Sequence, residues 1–74
     1  FNIKVQNKNN FLVDADNIKI FDKLKKLIGD QGRLLLRPSG TENLIRLLIE
    51  HKDANQIEIL YKYFYDNINK NTIV

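Results

Sequence analysis

Residues 32–50 contain two leucine-rich runs separated by a short polar segment, and this pattern limits the folds open to the chain. Each run predicts a β-strand, over residues 32–37 and 44–50, because successive side chains of a strand point to opposite faces. Pro38 ends the first strand, since proline has no N–H to donate to a sheet. The two strands are therefore predicted to form a hairpin.

The alternation gives this hairpin two different faces if its strands pair in register. One face is purely apolar and comprises Leu34, Leu36, Ile45, Leu47 and Ile49. The opposite face mixes leucine with arginine and comprises Arg33, Leu35, Arg37, Leu44, Arg46 and Leu48. The apolar face requires a covering layer, and the mixed face is typical of a surface that contacts a ligand or a partner.

Two segments predict helices that supply the covering layer. In the first, Asp14 or Asp16 caps the N-terminus and Gly29 provides a left-handed stop. Its apolar stripe is predicted to be Ile18, Phe21, Leu24, Leu27 and Ile28. The second helix follows Asp53 and Gln56, whose spacing resembles a capping box. Its apolar face is predicted to be Ile57, Leu60, Tyr61, Phe64 and Ile68.

The remaining segments complete the predicted order strand, helix, strand, strand, helix. Ile3 and Val5 alternate with polar residues and predict a short strand, while the NKNN segment after them predicts a turn. Residues 11–13 stay unassigned, and the C-terminal NKNTIV predicts a frayed tail. We therefore expect an α+β fold, a small antiparallel sheet with two helices on one face.

Length and composition set further bounds. The 74 residues allow one domain, and a chain of this size buries only about 60% of its unfolded surface. The absence of cysteine excludes disulfides, thiolate metal sites and a cysteine nucleophile, in agreement with a cytoplasmic location. No apolar run approaches the roughly 20 residues that cross a bilayer, so no membrane contact is predicted. The chain lacks methionine, which is consistent with a fragment of a longer protein.

The segment between the two predicted strands carries the chemistry. Ser39 and Thr41 offer hydroxyl donors, and Gly40 permits a positive φ that turns successive backbone N–H groups toward one point. Arg37 and Arg46 flank the segment, and a guanidinium fork matches two phosphate oxygens where lysine is only a point charge. The same residue types also suit an ordinary hairpin turn, so the residues alone leave both interpretations open.

Other candidate sites are weaker. Net charge is +3, which is too mild to indicate nucleic acid as a partner. His51 is the only histidine, so no histidine metal cluster exists, and we expect it to be solvated or hydrogen-bonded. Glu42 would repel a phosphate, and we expect it to pair with an arginine or to cap the loop.

The stretch GRLLLRPSGTENLIRLLIE, residues 32–50, resembles the C-terminal domain of the alpha-D-phosphohexomutases. Within that superfamily it is most similar to the bacterial phosphoglucosamine mutase family, and the resemblance extends in organisation over the whole chain, residues 1–74. It implies a fold like the TATA-binding-protein repeat. It also implies that the loop binds the phosphate of a sugar phosphate through Arg37, Ser39, Gly40, Thr41 and Arg46.

The resemblance further implies a parent enzyme that interconverts glucosamine 6-phosphate and glucosamine 1-phosphate through a phosphoserine and a bisphosphate intermediate. The phosphoserine, the Mg²⁺ aspartates and the sugar-recognition loop of that family lie in preceding domains, which would be partners of this one. We therefore expect no catalytic residue and no metal ligand in these 74 residues. Related phosphoglucomutases and phosphomannomutases share RPSGTE, so the sugar stays open.

One departure concerns Asn43, where the family usually has proline, and we expect a slightly looser loop exit.

Two other function classes are open on the sequence. The strand order partly resembles an RNA-binding module that uses its open sheet face, although such modules place aromatic residues there and this face offers Leu35, Leu44 and Leu48. A pure interaction domain that docks through the leucines is the third hypothesis.

Overall fold

The computed structural model describes all 74 residues and contains three strands and three helices. The strands are β1 (Asn2–Lys4), β2 (Gly32–Pro38) and β3 (Leu44–His51), and the helices are α1 (Lys8–Val13), α2 (Ala15–Ile28) and α3 (Asn55–Asn67). Short 3₁₀ turns occupy Gly29–Gln31 and Lys70–Thr72. The predicted α+β architecture is confirmed, with α1 as an additional short helix.

The sheet has the order β1-β3-β2 and is antiparallel throughout, so β3 is the central strand. In the β2–β3 hairpin, Leu36 lies opposite Leu47 and Arg37 lies opposite Arg46. The predicted register is therefore correct. The central strand buries its apolar face completely, whereas Leu34 of the edge strand β2 is half-buried. Leu35 and Leu48 are exposed on the outer face, at 40% and 45%.

Helix α2 packs on the sheet through a stripe that only partly coincides with the predicted one. Ile18 and Leu27 are 47% and 56% exposed, whereas Ile20 is 8% exposed. The buried line, spaced by three or four residues, is Asn17, Ile20, Leu24 and Ile28. The predicted stripe was right for Leu24 and Ile28, and Phe21 packs against the core. It was wrong for Ile18 and Leu27, and it left out Asn17 and Ile20. The helix is instead rotated so that a polar side chain enters the interior. The ends of α2 match the prediction, with Asp14 as N-cap and Gly29 at φ 55° as the C-terminal stop.

Helix α3 uses the predicted apolar face. Leu60, Phe64 and Ile68 are buried, and Ile57 and Tyr61 pack against the same core. The Tyr61 ring also stacks on the Phe1 ring, with 3.9 Å between their centroids. Burial raises the pKa of Tyr61, and the charge of Tyr65 raises it further.

The capping box predicted before α3 is only half formed. The Asp53 carboxylate accepts a hydrogen bond from the Asn55 N–H at 3.0 Å, but the Gln56 side chain returns no bond. Helix α3 begins one residue later than a complete box would place it. One capping bond is enough to satisfy a first-turn donor here.

The NKNN segment, predicted as a turn, begins helix α1. Asn7 caps this helix by accepting from the Asn10 N–H at 3.1 Å, and Phe11 is 1% exposed in the core. Six residues are too few to form a stable helix alone. Burial of Phe11 therefore decides that this segment is helical, and the asparagine-rich sequence does not predict that helix.

The C-terminal segment, predicted to fray, is held by the sheet. Ile73 forms a β-bridge with Val5 and is 9% exposed, and the Val74 N–H donates to the Lys4 carbonyl at 3.1 Å. These bonds pair the chain end with the last residue of β1 and the residue that follows it. The prediction was wrong because the polar composition of this segment gave no sign of a pairing partner about 70 residues away in sequence.

Asn17 connects the helices to this C-terminal segment. It is 4% exposed, and its amide nitrogen donates to the Phe11 carbonyl at 3.2 Å and to the Thr72 hydroxyl at 3.0 Å. Its amide oxygen accepts from the Asn69 N–H at 2.7 Å. All the buried polar side-chain atoms of the protein have partners. The fold therefore depends on this asparagine for interior hydrogen bonding as well as on its apolar core.

Replacing Asn17 with leucine is expected to lower the free energy of unfolding by at least about 1–3 kcal/mol, because buried donors and acceptors lose their partner while side-chain volume is nearly kept. Urea denaturation followed by circular dichroism measures the change. Asn9→Leu is the control, since Asn9 is exposed in α1 and makes no side-chain hydrogen bond. Equal stability of the two variants would contradict a structural role for Asn17.

A second stability prediction concerns Gly32 at the start of β2. A Cβ atom there would clash with the Glu50 carbonyl oxygen. It would also lie 2.8 Å from the Glu50 carbonyl carbon and 2.9 Å from the His51 Cα. Because these neighbours are backbone, Gly32→Ala is expected to lower the free energy of unfolding by about 1–3 kcal/mol. Gly40→Ala is the matched control, since a Cβ atom at Gly40 would meet nothing within 4 Å and the φ of this residue is not positive. Thermal denaturation that ranks the two variants in the opposite order would refute the close approach.

Candidate functional site

Two arginines lie opposite each other on the outer face of the hairpin, next to the loop. Arg37 and Arg46 are Cα partners across β2 and β3, and both are exposed. The one salt bridge in the protein joins Arg33 to Glu50, with 2.7 Å between Nε and Oε1, so neither Arg37 nor Arg46 has a carboxylate partner. Like charges that face each other across a sheet are destabilising. The fold therefore places two arginines that lack a carboxylate partner opposite each other.

The loop between the arginines, residues 39–43, is organised by the Ser39 side chain. Ser39 is 8% exposed, and its hydroxyl oxygen lies 3.5 Å from the Thr41 nitrogen and 3.4 Å from the Glu42 nitrogen. Both distances are long for N–H···O bonds, so these contacts are weak. The Ser39 N–H donates to the Leu44 carbonyl at 2.8 Å, which closes the bend. Two backbone donors therefore converge on a neutral oxygen.

Gly40 does not adopt the positive φ that glycine permits and that the sequence analysis considered for it. The one residue with positive φ is Gly29, at the end of α2. The bend therefore forms without a left-handed residue. The backbone bonds between Ser39 and Leu44 and between Leu44 and Glu42 close it, and the Ser39 hydroxyl adds two weaker contacts. The Gly40 N–H has no acceptor in the protein, and without a side chain it stays open to solvent. Glycine at this position leaves space above a free backbone donor.

The other loop side chains face solvent. Thr41 is exposed and its hydroxyl makes no hydrogen bond within the protein, so it remains free as a donor. Glu42 forms no ion pair, contrary to the pairing that was one of its two expected roles. Its backbone contributes to the bend, because its N–H approaches Ser39 and its carbonyl accepts from the Leu44 N–H at 2.9 Å.

The backbone bonds of Asn43 bear on the expected effect of asparagine in place of proline at this position. Its carbonyl accepts from the Val5 N–H at 3.1 Å, which extends the pairing between β1 and β3. Its own N–H has no acceptor. Proline keeps the carbonyl and lacks only the N–H, so the substitution removes no bond of this structure. What asparagine adds is one free backbone donor at the loop exit.

Two lysines near the loop were missed by the sequence analysis. Lys8, the first residue of α1, donates from Nζ to the Ser39 carbonyl at 2.7 Å. Lys4 of β1 lies opposite Leu44, one strand beyond the arginines on the outer face. The local sequence gives no sign of either position, because both lysines are brought near the loop by contacts between segments that are distant along the chain.

An open depression of about 320 Å³ joins the two arginines to apolar side chains of the outer face. Its lining includes Arg37, Arg46, Leu35 and Leu48.

No group of three or more histidine, cysteine or acidic side chains is placed to hold a metal ion. The His51 Nδ1 accepts from the Asp53 N–H at 2.9 Å, so this histidine is hydrogen-bonded. None of the helices has the length and apolar character needed to cross a membrane.

The fold and this loop define a class of protein that comparison with known families identifies. Residues 1–66 match the family model described as phosphoglucomutase/phosphomannomutase, C-terminal domain. The chain therefore belongs to this family as a C-terminal domain.

Among curated proteins, the chain is similar to enzymes named phosphoglucosamine mutase. That of Caldanaerobacter subterraneus subsp. tengcongensis is 41% identical over 71 residues, which is 93% of this chain and 16% of that protein. That of Alcanivorax borkumensis is 33% identical over 69 residues, again 93% and 16%. That of Aromatoleum aromaticum is 54% identical over 39 residues, 53% of this chain and 9% of that protein. The chain thus spans about a sixth of the length of the first of these relatives.

The unpaired arginines predict an unusual stability effect. Arg37→Gln is expected to raise the free energy of unfolding by about 0.2–1 kcal/mol at low salt, because it removes a facing like charge. The gain is expected to shrink as salt screens the repulsion. Guanidinium chloride would itself screen the charges, so urea denaturation at two sodium chloride concentrations is the suitable measurement.

Arg33→Gln is the matched control for this prediction, since Arg33 lies on the same strand and face but has Glu50 as a partner. That variant is expected to show no gain, because an exposed pair contributes little. If Arg37→Gln were as neutral or destabilising as Arg33→Gln at every salt concentration, the two arginines would not repel each other in solution.

Proposed function

We propose that this chain is the phosphate-clamping domain of a phosphosugar mutase, and that the parent enzyme interconverts glucosamine 6-phosphate and glucosamine 1-phosphate. The observation that carries the proposal is the pair of facing arginines, Arg37 and Arg46, which have no carboxylate partner and stand next to an exposed loop with free donors. The names of the relatives supply the particular sugar. The cytoplasm remains the predicted location.

The physical basis of the clamp is charge neutralisation. A phosphate dianion between two guanidinium groups replaces their mutual repulsion with attraction, and each planar fork can donate two hydrogen bonds to phosphate oxygens. The Gly40 N–H and the Thr41 hydroxyl are free to donate as well. The Ser39 hydroxyl hydrogen also has no acceptor, so it can turn toward a ligand while its oxygen still organises the bend.

Mg²⁺ belongs to the parent enzyme in this proposal, where it would supply electrostatic stabilisation during phosphoryl transfer. The acidic side chains of this chain do not fit such a site, because no three of them cluster. The serine that carries the phosphoryl group is likewise assigned to preceding domains. This domain then contributes binding and orientation of the phosphate, and no bond-making step.

Affinity of the isolated domain is expected to be low. Each charge-assisted hydrogen bond contributes roughly 1.5–3 kcal/mol, and association costs at least about 4 kcal/mol. A few such bonds on an open loop therefore give a dissociation constant of about 1 mM or weaker. The full enzyme would gain further binding energy from contacts with the sugar in its other domains.

An NMR titration of the 74-residue chain with glucosamine 6-phosphate is the test, with glucosamine as the ligand that lacks phosphate. Amide shifts are expected to centre on Ser39, Gly40 and Thr41 with the phosphate ester and with inorganic phosphate, and to be absent with glucosamine. Arg46→Gln is expected to weaken binding at least about tenfold, since it removes a bidentate charged donor. Arg33→Gln is expected to retain binding within about twofold, because it lies outside the loop and has its own partner.

The outcome against the proposal is also defined. Shifts confined to the helices, or equal losses in the Arg46 and Arg33 variants, would show that the loop is not the phosphate site. Submicromolar affinity for single-stranded RNA with none for phosphate would indicate the nucleic-acid alternative instead. The outer faces of β2 and β3 carry leucine and arginine in place of the stacking aromatics that such binding uses.

A further inference from the structure

Lys8 is distinguished from every other lysine of the protein by its burial and its partner. It is half-buried, whereas the other lysines are all exposed. Its Nζ donates to the backbone carbonyl of Ser39 at 2.7 Å, across 31 residues of sequence. This is the one hydrogen bond that joins a helix to the loop. The charge-assisted hydrogen bond offsets the side-chain entropy that the lysine loses when it is held there.

The carbonyl that Lys8 holds belongs to the same peptide group as the free Gly40 N–H. That peptide is trans, since the chain contains no cis peptide bond. In a planar trans peptide the C=O and the N–H point in opposite directions. The ammonium group that fixes the Ser39 carbonyl therefore also fixes the direction of the Gly40 N–H, away from α1. The bond polarises the peptide as well, which strengthens the N–H as a donor.

We propose that Lys8 is a positioning residue of the phosphate loop, which orients the Ser39–Gly40 peptide so that the Gly40 N–H is presented to the phosphate. This inference rests on the proposed function. It assigns a role to a residue outside the loop and outside the RPSGTE stretch. Lys8 does not touch the phosphate in this role; its charge acts on the carbonyl side of the peptide.

The other bonds of Ser39 show why this peptide needs a separate support. The Ser39 N–H is fixed by the Leu44 carbonyl at 2.8 Å, but that bond restrains the peptide that precedes Ser39. The hydroxyl oxygen restrains the amides of Thr41 and Glu42 through long contacts. Between these two restraints, the peptide of Gly40 has Lys8 as its only protein partner. Without it, this plane is free to rotate.

The test uses Lys8→Met, which keeps the length of the side chain and removes the charged donor, and Lys8→Arg, which keeps the donor. Lys62→Met is the matched control, because Lys62 is exposed on α3 and has no hydrogen bond, and its replacement lowers the net charge by the same amount. The Gly40 amide shift in the free chain reports the peptide orientation. A titration with inorganic phosphate reports binding, and thermal denaturation reports folding.

Lys8→Met is expected to move the Gly40 amide resonance in the free chain and to weaken phosphate binding about five- to tenfold, as loss of one well-placed donor implies. Lys62→Met is expected to leave the resonance unchanged and to alter binding less than about twofold, as a screened distant charge does. Lys8→Arg is expected to restore both readouts. A purely structural role would lower the melting temperature without a specific shift at Gly40.

The two proposals fail in different ways. If the wild-type chain shows no phosphate-dependent shifts, the proposed function is wrong and Lys8 has no phosphate to serve. If the wild type binds phosphate but Lys8→Met binds as tightly, or weakens no more than Lys62→Met, the role of Lys8 is wrong and the clamp stands. A Gly40 resonance that is identical in the wild type and in Lys8→Met would also overturn the orientation of the peptide by Lys8.

Discussion

The antiparallel register of the β2–β3 hairpin is the constraint on which both the core and the site depend. Because side chains alternate across a strand, the register that buries Leu36 against Leu47 also sets Arg37 opposite Arg46. A shift of one residue in the pairing of β2 and β3 would expose the apolar face, and it would also move the two arginines out of their opposed positions. The burial of the inner face therefore keeps two arginines opposite each other on the outer face. In this way the hydrophobic core offsets an electrostatic cost at the surface.

That cost is what gives the loop its proposed chemistry. Arg33, on the same strand, shows the alternative, since it is neutralised by Glu50 and has no free charge to offer a ligand. At the loop end, no carboxylate reaches either arginine, and Glu42 stays unpaired although it lies in the loop. The Ser39 hydroxyl collects two backbone donors through long contacts. The loop is thus closed in shape and still has free donors.

Long-range polar contacts complete the structure where the apolar pattern is weakest. Asn17 joins two helices to the C-terminal segment, and Lys8 joins α1 to the loop. Lys8 belongs to a segment predicted as a turn, and Asn17 is a polar residue at the start of a predicted helix. A chain of 74 residues has a small core, so a few such bonds decide where its short segments lie. Stability of the domain and presentation of the loop therefore share the same elements.

The local sequence by itself determined the parts of the protein that repeat with a period. The hairpin register, the apolar face of α3 and the position of the arginines follow from alternation and helical spacing, and the loop residues were recognisable by their chemistry. The tertiary structure decided the rest. It rotated α2 so that Asn17 and Ile20 are buried, and it ordered the chain end through Ile73.

It also decided the details of the site, because these depend on partners far away in sequence. Gly40 permits a positive φ but does not adopt it, and the bend is closed by the backbone bond from Ser39 to Leu44. Lys8 reaches Ser39 only because burial of Phe11 folds α1 against the core. Periodicity is encoded between neighbouring residues, whereas these contacts exist only after the sheet and helices have packed. That is the physical reason why local patterns predicted the architecture and not the support of its loop.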